Sequence, residues 1–203
     1  MMAFGPGRRV LIVAALAILS LVGLVARESW ERDHGTEAVL SMQGVDPRSL
    51  LSGDYVAINL QEPLPPGRGC PPGIGRGPTT GPARRVWIAL AAEGDHMAAV
   101  GAAADRAGAA RFAPLVVQGH ATCSPPPPVD PGSTPLPGSV ALDLGVDSFY
   151  VSQSEAQRIS QLAAQCAIGA APCPVAAIVS IGPDGRARLR GLLMNGQRTT
   201  ISL

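Results

Sequence analysis

The chain has no lysine: all sixteen of its basic residues are arginine. That absence excludes lysine Schiff-base chemistry, a phosphate-loop lysine and a Ser–Lys catalytic dyad. Aromatic residues are scarce, with three Phe, two Trp and two Tyr in 203 residues. Charged residues make up only 15% and nearly cancel, leaving +1, so there is no electrostatic footprint for nucleic acid. His34, His96 and His120 are scattered, and the cysteines lack a C-x-x-C spacing. Neither a metal nor a cofactor is therefore expected.

Glycine and proline are abundant, at 24 and 20 residues, which keeps long stretches out of regular helix or strand. The length suits one domain with an appendage. That appendage is the apolar run over residues 10–26, VLIVAALAILSLVGLVA, in which Ser20 is the sole polar side chain. As a helix it is about 25 Å long, near the lower end for crossing a hydrocarbon core of about 30 Å. Arg8 and Arg9 can extend it by snorkelling, and Trp30 sits where an interfacial aromatic belongs. A cleaved signal peptide would have a shorter apolar core ending in a small-x-small site. Here Leu24-Val25-Ala26 places a bulky leucine at the first position, so an uncleaved anchor is expected. Arg8 and Arg9 precede the run, whereas Arg27, Glu28, Glu31, Arg32 and Asp33 follow it and sum to −1. The positive-inside rule then leaves residues 1–9 in the cytoplasm and exports residues 27–203.

Cys70, Cys123, Cys166 and Cys173 all lie in the exported part. An even count in an oxidising compartment reads as two disulfides, with three connectivities open. A local Cys166–Cys173 loop would leave Cys70 and Cys123 to tie together two Pro-rich loops, residues 62–82 and 123–138. Between the loops, short apolar runs predict strands near 38–43, 55–60, 85–91, 115–119 and 140–144. Ser154–Gln165 reads as a helix, and Met97–Ala110 is ambiguous between helix and strand. At the C-terminus, Gly182-Pro183-Asp184-Gly185 and Asn195-Gly196 separate three apolar segments, which predicts an antiparallel meander. On its middle strand Arg186, Arg188 and Arg190 alternate along one face. A solvated outer face is the expectation for them, with lipid headgroups or a partner as the functional alternative. The fold class is β-rich α+β: an N-terminal transmembrane helix, then one small antiparallel-sheet domain with one short helix.

Residues 45–60, VDPRSLLSGDYVAINL, resemble the signature of the GDYXXLXY family of bacterial membrane-anchored proteins of unknown function. Gly53, Asp54 and Tyr55 match it, as does the preceding DPRSLL, while Ile58 and Leu60 depart from it. Residues 145–151, GVDSFYV, and the closing hairpin are also similar to family segments. The resemblance implies a bacterial inner-membrane anchor, a periplasmic β-rich domain and multi-spanning membrane proteins as partners. Arg48, Asp54, Tyr55, Asp147, Phe149 and Tyr150, in the two family-like segments, are the partner-binding candidates. The competing role for the aromatics is structural, because Tyr55, Trp87, Phe112, Phe149 and Tyr150 are the rings left to fill a core.

The order Ser41-Met42, Pro47, Gly53-Asp54 is also similar to signal peptidases. Those bacterial enzymes need a lysine, so a serine hydrolase here would have to use Ser41 with His120 or Asp54. A non-catalytic binding or accessory module is the leading expectation, and no catalytic residue is assigned.

Overall fold

A computed structural model describes residues 6–42, 47–50, 53–65, 67–77, 84–126, 138–146, 148–150, 175–194 and 196–200. Helix α1 spans Pro6–His34. It outruns the apolar segment because residues 27–34 still favour helix, with Arg27 Nε 2.9 Å from Glu31 Oε1 one turn on. Its apolar side chains from Val10 to Val25 are largely exposed. The stretch Val10–His34 is long and apolar enough to cross a membrane. Gly35 closes the helix, donating its N–H to Glu31 O at 3.2 Å.

The strands are β1 (Thr36–Ser41), β2 (Pro47–Leu50), β3 (Gly53–Ala57), β4 (Leu60–Leu64), β5 (Gly75–Arg76), β6 (Val86–Glu93), β7 (His96–Ala103), β8 (Leu115–Ser124), β9 (Gly138–Asp143), β10 (Ser148–Tyr150), β11 (Val175–Ile181), β12 (Ala187–Met194) and β13 (Gln197–Thr200). One short helix, α2 (Arg106–Ala109), follows β7. They form a sheet of order β1-β11-β12-β13, a larger sheet β4-β9-β8-β6-β7, and a small sheet β10-β3-β2. Among the described residues, only the two-residue β5 pairs in parallel, beside β8. The chain is therefore β-rich α+β behind an N-terminal apolar helix.

The C-terminal meander forms as the turn chemistry predicts, with Gly185 at φ 78° and Gly196 at φ 76°. A side chain at Gly185 would also strike the Trp87 ring, and Gly185 O accepts from Gln118 N at 2.7 Å. That turn thereby fastens the four-stranded sheet to the larger one.

Three expectations need correction. The strand expected over residues 55–60 is two strands, β3 and β4, which enter different sheets. Ile58 between them is buried and Asn59 exposed, so the chain crosses layers there. The loop expected from residue 62 starts later, because β4 runs to Leu64 through Pro63. Proline is tolerated there because β4 is an edge strand, hydrogen-bonded only to β9 within its sheet. β8 likewise carries the ladder to Ser124, so Cys123 lies in a strand. The ambiguous stretch 97–110 contains both forms: β7, then α2 capped by Asp105, whose Oδ1 accepts from Gly108 N at 2.8 Å. The expected helix Ser154–Gln165 lies outside the described residues.

The core is aliphatic. Leu40, Leu64, Ile88, Leu90, Val117, Val140, Val179 and Leu192 are buried together with Ala99, Ala102 and Ala177. The described aromatics stay at its margin: Phe112 is 45% exposed and Trp87 is partly buried. Small residues bring the layers close, leaving little room for rings. Phe112 instead lies against Gly101, and Trp87 against Gly185.

The edge of β7 is covered from two directions. Ala102 N donates to Pro72 O at 2.9 Å, and Ala99 N donates to the Glu62 carboxylate on β4 at 3.0 Å. Such contacts blunt an otherwise pairable strand edge. Burial raises the pKa of Glu62 from its ordinary 4.5, against the hydrogen bond from Ala99. The native state therefore takes up a proton that the unfolded chain lacks at pH values between 4.5 and the raised value. Stability from this group is present at the acid end of that window and is lost as pH rises through it. Glu62→Gln keeps an acceptor for Ala99 and removes the titration. Unfolding midpoints measured from pH 4.5 to 7 are expected to fall less steeply in the variant, and parallel slopes would contradict the assignment.

Candidate functional site

The small sheet collects the two family-like segments. Strand β2 pairs with β3 so that Arg48 faces Tyr55 and Ser49 faces Asp54. On the other side of β3, Tyr150 faces Tyr55 and Phe149 faces Val56. Arg48, Tyr55 and Tyr150 thus share one register row although 102 positions separate the first from the last. Residues in one row lie on the same face of a sheet, and those in the next row on the other. Asp54 and Phe149 occupy neighbouring rows on either side, and Asp147 lies outside the described residues. Two stretches that look independent along the chain are therefore one structural unit. Its outer strands β2 and β10 are hydrogen-bonded on one side only within the sheet.

The second feature was missed at the level of sequence. Arg188 on β12 is 7% exposed and stands against the end of α1. Its Nε donates to Glu28 Oε1 at 2.6 Å and its Nη2 to Asp184 Oδ2 at 3.1 Å. Nη2 also bonds the Glu31 carboxylate. Hydrogen bonds that the guanidinium donates to the Asp184 and Glu28 carboxylates hold its pKa above its ordinary value, against the effect of burial. Partial burial pushes Asp184 up, but Arg188 and the Arg186 N–H hold its pKa below the usual carboxylate range. The expectation of three solvated arginines on one face is thus corrected. Arg188 is a buried clamp, Arg190 pairs with Glu37 at 3.3 Å, and Arg186 remains 69% exposed. Strict alternation also fails, because Arg186 precedes β12 and the pairing with β11 shifts register at Arg190, and the Glu31 and Glu28 carboxylates that draw Arg188 inward lie 157 and 160 positions away.

A cleft of about 440 Å³ opens beside this clamp. Leu24, Arg27, Glu28 and Glu31 of α1 line one side, with Gln118, Asp184, Arg186 and Arg188 on the other.

Cys70 and Cys123 form a disulfide with their Cα atoms 5.8 Å apart, joining the first Pro-rich segment to the end of β8. Cys166 and Cys173 lie outside the described residues. Ser41 ends β1 opposite Ala176, whereas His120 lies on β8 opposite Asp143, in a different sheet. His120 Nδ1 is 3.2 Å from Asp143 Oδ2, and among the described residues no hydrogen bond joins it to Ser41. No group of three or more His, Cys, Asp or Glu is arranged to hold a metal ion among the described residues.

The model of the family described as GDYXXLXY protein matches residues 17–192. That span covers the end of the apolar run, the clamp and both strands of the signature hairpin. No curated protein and no solved structure matches the chain.

Proposed function

This chain belongs to the GDYXXLXY protein family, and from that premise we propose that it is a single-pass protein of a bacterial inner membrane. Its periplasmic domain is a non-catalytic binding or accessory module for a multi-spanning membrane partner. The observation that carries this reading is the joining of both family-like segments in the sheet β10-β3-β2. Polar and aromatic residues in one row of that sheet suit a recognition surface, since Tyr and Arg dominate interface energetics. The anchor reading draws on α1, and the flanking charges favour an exported domain. The disulfide accords with an oxidising compartment.

Photo-crosslinking in intact cells tests this reading. A photoreactive amino acid at position 55 or 150 is expected to give one shared adduct with an integral membrane protein. The same probe at Arg111, an exposed residue beyond α2, is expected to give none. Adducts that are absent, or that are the same at all three positions, would contradict the proposal.

A further inference from the structure

The cleft between α1 and the domain is not used by the partner-binding reading, and its position and charges suit a ligand of their own. We propose that it binds the headgroup of a zwitterionic aminophospholipid. The phosphodiester lies between Arg27 and Arg186, and the ammonium lies at the Glu28 and Asp184 carboxylates. This rests on the reading of α1 as a membrane anchor.

Position comes first. Leu24 lies inside the apolar run and Arg27 just beyond its end at Ala26, yet both line the cleft. Three residues of helix rise only about 4.5 Å. The cleft therefore opens at the hydrocarbon boundary, at the depth of lipid phosphates, with Leu24 beside the path of an acyl chain.

The side chains are apportioned accordingly. Arg188 is consumed by three carboxylates. Arg27 and Arg186 remain 74% and 69% exposed, and their ion pairs are with Glu31 at 2.9 Å and Asp184 at 3.9 Å. A guanidinium carries five N–H donors in a planar fork, so most of those on Arg27 and Arg186 are available to a phosphate, which Arg binds well. Glu28 is 51% exposed and Asp184 31%. A carboxylate accepts at about four lone-pair sites, leaving both able to take ammonium protons.

The balance of charge selects the headgroup. Three arginines and three carboxylates line the cleft, so a zwitterion enters without adding net charge, whereas a monoanionic lipid would bring one uncompensated charge to a partly desolvated site. The volume of about 440 Å³ falls within the range of about 300–1,000 Å³ usual for small-ligand sites.

The test is native mass spectrometry of the full-length protein in detergent, with dioleoyl phosphatidylethanolamine or dioleoyl phosphatidylglycerol added at equal concentration. The wild type is expected to retain one phosphatidylethanolamine in preference to phosphatidylglycerol. The Arg27→Ala/Arg186→Ala variant is expected to lose that retention by about tenfold or more, as the removal of charge-assisted hydrogen bonds implies. Arg111→Ala is expected to retain the lipid as the wild type does. Excess inorganic phosphate should leave the lipid in place. Equal retention of the two lipids, undiminished retention by the double variant, or full displacement by phosphate would each overturn the proposal. Alkaline extraction of cell membranes separates its failure from that of the anchor reading. Release of the protein into the wash would overturn both. A protein that stays in the membrane while the double variant still holds lipid would overturn the headgroup site alone.

Discussion

Replacing Arg188 by methionine is expected to lower the unfolding free energy by about 3 kcal/mol, the lower end of the range for breaking a buried ion pair. Removing the guanidinium leaves Glu28, Glu31 and Asp184 facing one another. The loss stays near that lower end because Glu28 is half exposed and can regain water, and Glu31 keeps its ion pair with Arg27 at 2.9 Å. Arg188→Lys should fall between wild type and methionine, since a single ammonium cannot present a planar fork to three carboxylates. Arg186→Ala, which removes an exposed guanidinium just before β12, is expected to change stability by less than about 0.5 kcal/mol. Chemical denaturation of the full-length protein in detergent distinguishes these outcomes. Equal midpoints for Arg188→Met and wild type would remove the clamp from the account. The same variant should loosen the end of α1, because Ser180 Oγ also donates to Glu31 O at 3.4 Å from the neighbouring strand.

The Cys70–Cys123 disulfide is expected to contribute about 4 kcal/mol by the chain-entropy relation for a loop of its length. Its cysteines are 53 positions apart, and the enclosed segment includes the second half of the first Pro/Gly-rich stretch, β5, β6 and β7. That segment has much conformational freedom to lose, and several of its turns depend on the closure. Gly77 N donates to Cys123 O at 3.0 Å, and Ala102 N to Pro72 O at 2.9 Å. The double variant Cys70→Ala/Cys123→Ala removes the link with little change in volume. Its denaturation midpoint should drop by the amount corresponding to that loss, and a shift equivalent to less than about 1 kcal/mol would contradict the entropic account.

Local signals and long-range partners were unequally legible in the sequence. The meander β11-β12-β13 could be read because glycine and asparagine mark its turns within a few residues. The apolar helix could be read because an unbroken apolar run of this length carries its own signal within the segment. The division of residues 55–60 between two sheets could not, since an apolar run looks the same whether it stays in one layer or crosses to another. Burial of Arg188 was hidden for a different reason. Alternation assigns a face, but whether that face meets water or a helix end depends on carboxylates supplied from the other end of the chain. Of the rings expected to fill the core, Trp87 and Phe112 lie at its margin, because alanine-rich strands pack closely there. Of the candidate site, sequence supplied the two segments. The register Arg48–Tyr55–Tyr150 is what places them side by side in one sheet.

The central claim is a membrane-held domain lying outside the cytoplasm, and single-cysteine labelling in whole cells tests it most directly. Gly7→Cys and Arg111→Cys would be introduced separately, at exposed positions on opposite sides of the apolar run, in a chain that keeps the Cys70–Cys123 disulfide and has Cys166 and Cys173 replaced by alanine. A membrane-impermeant maleimide, admitted to the periplasm, should label position 111 and leave position 7 unmodified until the inner membrane is broken. Labelling of position 7 with protection of position 111, or protection of both until lysis, would contradict the account.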